Sequence, residues 1–303
     1  LLLRVARGER AERTPAWLMR QAGRYMPEFR AYSDKYPFRV RSETAEIATE
    51  LSLQPWRAFR PDGVIMFSDI LTPLQGMGVD FDFKPQVGPL IARPVRSLED
   101  VELVRPLDLE AMGFVSESLG LLRQELRDEA TLLGFVGAPY TLATYLVEGG
   151  TSRNYTVIKE MALKNPQLLH GLLQSLADSM ADYVRYQADA GAQVVQLFDS
   201  WAHHLSFPQF AEFSLPYAER VVAGIKARHP DTPVIFYANG GTGKLSLIKG
   251  SSADVIGLDW GVDLAEARQQ LGPDVTVAGN LDPMVLFAPE DVIRREVGRV
   301  LEA

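Results

Sequence analysis

Residues 192–200 read AQVVQLFDS. A short apolar run rich in valine, closed by Asp199 and Ser200, suits a strand buried on both faces, as in a parallel sheet. Six other runs have the same form: PAWLMR (15–20), DGVIMFSD (62–69), TLLGFVGAP (131–139), TPVIFYANG (232–240), ADVIGLDW (253–260) and VTVAGNLD (275–282). Between them the apolar spacing changes to three and four. The segment 168–190 carries Leu169, Leu172, Leu173, Leu176, Met180 and Tyr183 on one helical face, and 210–228 follows suit. Shorter helices are expected over 264–271 and 289–301. Strand alternates with helix, so the fold class is α/β.

Seven strand candidates are one fewer than a closed (β/α)8 TIM barrel needs. An open barrel would leave unpaired edges, so the eighth strand is expected to be missing from the C-terminus of this chain. No linker or low-complexity tract divides the sequence, and residues 1–303 read as one domain.

The composition is ordinary for a globular protein, with 47% hydrophobic and 23% charged residues. No apolar run approaches the ~20 residues of a spanning helix. A formal net charge of -8 argues against a nucleic-acid partner. The absence of cysteine removes disulfides, thiolate nucleophiles and every cysteine-containing zinc site. Of the histidines His170, His203, His204 and His229, only two are neighbours. Adjacent helical positions point about 100° apart, so no metal is expected.

Several strand candidates end on polar residues: Arg20, Asp69, Asp199 with Ser200, Asn239, Asp259, and Asn280 with Asp282. In a β/α barrel those ends converge on one mouth. Any one of them could instead cap a helix or make a turn, and Asp199, Asp259 and Asp282 are read that way. NGGTGKLSL (239–247) is no phosphate loop, since that spacing needs glycine at Ala238 and Ser or Thr at Leu245. GGTSRN (149–154) reads as a loop between a strand and a helix.

The stretch WLMRQAGRYMPEFR (17–30) places Arg20 and Arg24 on either side of Gln21, Ala22 and Gly23. Gly23 would let the chain turn so that both guanidinium groups face one cavity. Arginine forks match carboxylates and phosphates, and two of them imply a ligand with several acidic groups. The alternative is a pair of surface ion pairs to Glu28 or Glu43, worth about 0–1 kcal/mol each.

That stretch, together with DGVIMFSDIL (62–71), GAPYTLATYLVEGG (137–150), QLFDSWA (196–202), GLDW (257–260) and GNLDP (279–283), resembles the uroporphyrinogen decarboxylases of the cyanobacterial and plastid branch. The likeness runs in order along the chain. It implies a single (β/α)8 barrel, a homodimer with facing clefts, and no cofactor or metal. It further implies decarboxylation of the four acetate side chains of uroporphyrinogen III to give coproporphyrinogen III, in haem and chlorophyll synthesis. Arg20 and Arg24, with Gln21, Ala22 and Gly23 between them, match the substrate-binding segment. Asp69 matches the carboxylate that meets the pyrrole nitrogens, and Tyr145 and Ser200 match two ligand-contacting hydroxyls. Asp69 and Arg20 are thereby the catalytic candidates. The family's histidine in a C-terminal NLGHG segment has no counterpart before residue 303, and ANGGTGKLSL departs from the family's wording. The expected compartment is the bacterial cytoplasm or the plastid stroma. Two other readings are a non-catalytic tetrapyrrole-binding protein and a corrinoid methyltransferase of the same superfamily. The latter lacks its cysteine zinc ligand here. If Arg24 grips acidic side chains, Arg24→Ala weakens binding of the octacarboxylate substrate more than that of the tetracarboxylate product. Equal weakening, measured by titration of both, would overturn the charge-matching reading.

Overall fold

The computed structural model describes residues 1–19, 23, 25–84 and 87–303. Six of the apolar runs form one parallel sheet: β1 (Gly63–Ile65), β4 (Thr131–Gly137), β5 (Val194–Asp199), β6 (Val234–Ala238), β7 (Val255–Gly257) and β8 (Thr276–Ala278). Their spatial order is β1-β4-β5-β6-β7-β8, with Leu133 opposite Val194, Gln196 opposite Ile235, and Ile235 opposite Val255.

Side chains alternate along a strand, and here the two phases go to two different cores. Leu132, Val136, Val195, Leu197, Val234, Phe236 and Ile256 pack against the surrounding helices. The opposite phase gathers Ile65, Leu133, Val194, Ile235, Val255 and Ala278 into one inner cluster. Residues from the first and last strands meet there, so the sheet is curled into part of a barrel wall. A short N-terminal helix, α1 (Leu2–Ala6), closes the inner cluster with Leu2 and Ala6, and Trp17 packs beside them.

PAWLMR is not the seventh strand over its described residues, 15–19. Proline at 15 offers no N–H, and side chains hold the segment in place of a ladder. Ala16 donates its N–H to the Asp62 carboxylate (2.7 Å) and accepts the Asp62 N–H (2.8 Å), while Arg13 forks onto the same carboxylate. The structure also contains an antiparallel hairpin, β2 (Phe81–Lys84) with β3 (Gly88–Ile91), absent from the sequence reading. GGTSRN lies between two helices rather than between strand and helix. Gly149 ends α2 (Pro139–Glu148) in the left-handed conformation, and the next helix is Thr156–Lys164.

The expected long helix is α3 (Pro166–Asp189), started by proline and capped by the Asn165 side chain. The helix expected over 210–228 begins instead as a wide π turn, Phe210–Ser214, before α4 (Leu215–Lys226). Pro216 at the start of α4 cannot donate to the preceding turn, which accounts for the break. The segments 264–271 and 289–301 are helical, as Leu264–Leu271 and Glu290–Glu302.

One buried amide ties α3 to the sheet. β1 pairs with β4 only as far as Ile65 opposite Leu133, so Phe135 lies beyond the last pair on that side. Gln187 of α3 supplies both missing bonds, accepting the Phe135 N–H and donating to its carbonyl, each at 2.8 Å. Gly134 makes this approach possible, since a Cβ there would lie 2.5 Å from Gln187 Oε1. Gln187→Leu keeps the volume but strands two buried backbone groups. A loss of about 2–5 kcal/mol in urea unfolding is expected; a change under about 0.5 kcal/mol would show that water replaces the amide.

Candidate active site

The inner face rises from the aliphatic cluster to an aromatic layer, in which Phe135 meets Phe198 edge-on at 5.9 Å and Phe198 meets Tyr237 at 6.3 Å. Phe198 and Tyr237 are half-buried and form the floor of the mouth. Polar groups from the strand ends stand around this floor.

Asp69 follows β1 in a cross-braced turn. Phe67 donates its N–H to Ser52 Oγ at 2.7 Å, and the hydroxyls of Ser68 and Thr72 lie 2.9 Å apart. The Asp69 carboxylate accepts the Leu71 N–H at 2.8 Å, which fixes its orientation while leaving the residue half-buried. A turn bond and a ligand-facing role are compatible, because a carboxylate has about four acceptor sites.

Tyr145 projects from α2 and packs its ring on Trp201 at 5.5 Å. Burial pushes its phenol far above the ordinary range, and the negative field of Asp69 pushes it further. Tyr145 therefore stays a hydroxyl donor beside Asp69. Ser200 follows β5, half-buried; its carbonyl accepts the Asn239 side chain at 3.1 Å and lies 3.2 Å from His203 Nδ1. Asp69, Tyr145 and Ser200 thus stand at one end of the sheet. Arg20, Gln21, Ala22 and Arg24 lie outside the described residues. Gly23 is half-buried, and a Cβ there would lie 2.5 Å from the Tyr25 ring. Glu43, one partner considered for the arginines, bonds Arg39 at 2.5 Å.

The turn and cap readings divide. Asp282 caps the turn after β8 by accepting the Met284 N–H, and Asp259 accepts the Gly261 N–H and the Thr242 hydroxyl. Asp199 caps nothing. It has no solvent exposure and accepts hydroxyl hydrogens from Thr141 (2.6 Å) and Ser214. Burial pushes its carboxyl above the ordinary range, against the pull of those two hydroxyls, Lys244 and His203.

Lys244, set aside with the rejected phosphate loop, is nearly buried. It donates to the Gly240 carbonyl at 3.2 Å and stands 5.6 Å above the Phe210 ring. Burial lowers its pKa, while Asp199 and Asp259 raise it. The wall of Trp201, Tyr155, His203 and His204 was also missed. Its signal was the density of rings in SWAHH, which no spacing rule covers. Among the described residues, no group of three or more His, Asp or Glu is placed to hold a metal.

The profile of the uroporphyrinogen decarboxylase family (URO-D) matches residues 1–303. The chain belongs to that family. Uroporphyrinogen decarboxylase from Crocosphaera subtropica is 55% identical over 298 residues, covering 98% of this chain and 84% of the relative. The chloroplastic uroporphyrinogen decarboxylase of Nicotiana tabacum is 52% identical over 299 residues, covering 98% and 76%. A methyltransferase from Methanosarcina mazei shares the fold, with a TM-score of 0.79 at 18% identity over 99% of this chain and 88% of that one.

In this member of the uroporphyrinogen decarboxylase family, His204 stacks on Tyr155 with ring centroids 3.8 Å apart and neither ring nitrogen bonded among the described residues. Burial, then repulsion from His203 and Lys159, pushes its pKa down to about 3. An unfolded histidine titrates near 6.5, so the unfolded chain takes up this proton first and stability falls as pH drops below about 6.5. His204→Phe keeps the stack and removes the titration. The fall in melting temperature from about pH 7 to pH 5 should shrink in this variant; an unchanged fall would mean that the imidazole is not held neutral.

Proposed function

We propose that the chain removes CO2 from the four acetate side chains of uroporphyrinogen III, giving coproporphyrinogen III, as a carboxy-lyase in which Asp69 is the central catalytic group. The supporting observation is the oriented, half-buried Asp69 carboxylate standing beside a protonated Tyr145 at the strand ends. The substrate directs several N–H groups inward, and one carboxylate can accept them together.

Breaking the bond to CO2 requires somewhere for its electrons to go. Protonation of the ring carbon next to the acetate-bearing one makes the pyrrole a cation. The C–C electrons then neutralise that cation, releasing CO2 and leaving an exocyclic methylene. The methylene takes a proton to become methyl, the ring carbon returns its own, and each cycle consumes one proton overall. An ionised Asp69 against the pyrrole nitrogens stabilises the cation as it forms, by a charge already in place. Arg20 and Arg24, in one segment with Gln21, Ala22 and Gly23, grip the peripheral carboxylates. Arg20 positions the reacting acetate; a guanidinium is too weak an acid to be the natural proton source. Tyr145 and Ser200 supply hydroxyls to the macrocycle. In this reading the curled sheet is the wall of a (β/α)8 barrel that works as a homodimer without cofactor, metal, nucleic acid or membrane, in the cytoplasm of a bacterium or a plastid stroma.

Anaerobic incubation with reduced uroporphyrinogen, followed by separation of products by carboxylate number, tests the activity directly. Asp69→Asn keeps an oxygen for the Leu71 N–H but loses the charge. Turnover should fall by at least about a hundredfold with the melting temperature little changed. Near wild-type turnover would take Asp69 out of the mechanism.

A further inference from the structure

Asp199 is a buried carboxylate that the chemistry above does not use. A buried carboxyl group is costly unless its oxygens are met, and here both are. Thr141, from the first turn of α2, and Ser214, from the π turn after β5, each donate a hydroxyl hydrogen to it. A leucine would fill the space but could orient neither hydroxyl.

The Thr141 hydroxyl has one hydrogen and two lone pairs. Its hydrogen is committed to Asp199, and the oxygen accepts the Trp201 N–H at 3.2 Å. Asp199 therefore sets the hydroxyl rotor, and the rotor holds the backbone immediately after Ser200. One helical turn beyond Thr141, on the same face of α2, is Tyr145, whose ring packs on the Trp201 side chain. The Asp199 carbonyl meanwhile accepts the Asn239 N–H at 3.1 Å, and the Asn239 side chain returns to the Ser200 carbonyl. Each bond starts or ends within one residue of Ser200 or on the helix that carries Tyr145.

We propose that Asp199 is a positioning residue of the active site, acting through Thr141 to fix the two substrate-facing hydroxyls, Ser200 and Tyr145, relative to each other. This rests on the reading that those hydroxyls meet the macrocycle. The substrate must be presented again for each of four acetates, so a loosened pair slows some presentations more than others. The signature is a changed ratio among partly decarboxylated products at equal conversion. A smaller folded fraction would leave that ratio untouched.

The experiment compares wild type, Asp199→Asn, Thr141→Val, Thr141→Ser and the double variant Asp199→Asn/Thr141→Val. Steady-state kinetics with uroporphyrinogen, product distribution by carboxylate number and thermal melting are recorded for each. Each of Asp199→Asn and Thr141→Val should lower kcat by about tenfold or more, with a smaller change in KM. Heptacarboxylate to pentacarboxylate intermediates should accumulate. The double variant should be no worse than the worse single one, because both remove the same link. Thr141→Ser, which restores the hydroxyl, should recover most of the loss. Three results would overturn the proposal: additive losses, a well-folded Thr141→Val with wild-type kcat, or reduced activity with an unchanged intermediate ratio. Inactivity of the wild type defeats the functional reading and this inference with it, whereas active wild type with unaffected variants defeats this inference alone.

Discussion

A parallel strand covered on both faces leaves little place for a polar side chain except at its ends. That constraint shapes the whole molecule. The inner cluster of Ile65, Leu133, Val194, Ile235, Val255 and Ala278 and the helix-facing cluster bury most of both faces of the sheet from β4 to β7. Chemistry-bearing groups are driven to the rims, and because the strands are parallel the C-terminal rim collects Asp69, Asp199, Ser200, Asn239 and Asp259 together. Gln196 is the exception. It lies mid-strand on the inner face, fully buried, with neither amide atom bonded among the described residues.

The same constraint explains which parts of the fold were legible. Runs such as AQVVQLFDS announce doubly covered strands, and all six that form the sheet were visible as apolar runs with turn residues at their margins. PAWLMR has the same outward form but a different cause. Its apolar residues include Trp17, which plugs the inner cluster beside α1, and Asp62 occupies the backbone groups that a ladder would use. The hairpin at 81–91 escaped notice because Asp82 and Lys84 interrupt its short strands and neither face is fully covered. Local pattern also could not foresee the π turn ahead of Pro216, whose consequence is to bring the Ser214 hydroxyl onto Asp199.

Of the site, the residue types were readable and their depth was not. Asp69 and Asp199 each close an apolar run, and each is followed by a turn or short helix. One is half-buried and accepts the Leu71 N–H, while the other is sealed beneath two hydroxyls and within the field of Lys244. Nothing in FSD or FDS separates those outcomes, because depth depends on what the neighbouring helices bring. The hydroxyls over Asp199 come from positions 141 and 214, distant in sequence.

Strand phase separates them where composition cannot. In β5 the inward residues are Val194, Gln196 and Phe198, so Asp199 belongs to the helix-facing phase and Ser200 to the mouth. A shift of one residue would exchange those roles, sending the hydroxyl into the helix layer and the carboxylate into the cavity. In β1 the inward residue is Ile65 and the strand ends there; Asp69 lies beyond it, in the turn braced by Ser52, Ser68 and Thr72. The pairing of β5 with β4 and β6 thus sets Asp199 on the helix-facing side, whereas Asp69 is set by the braced turn after β1. The buried Asp199 carboxyl is held in part by the Thr141 hydroxyl, which also accepts the Trp201 N–H next to Ser200.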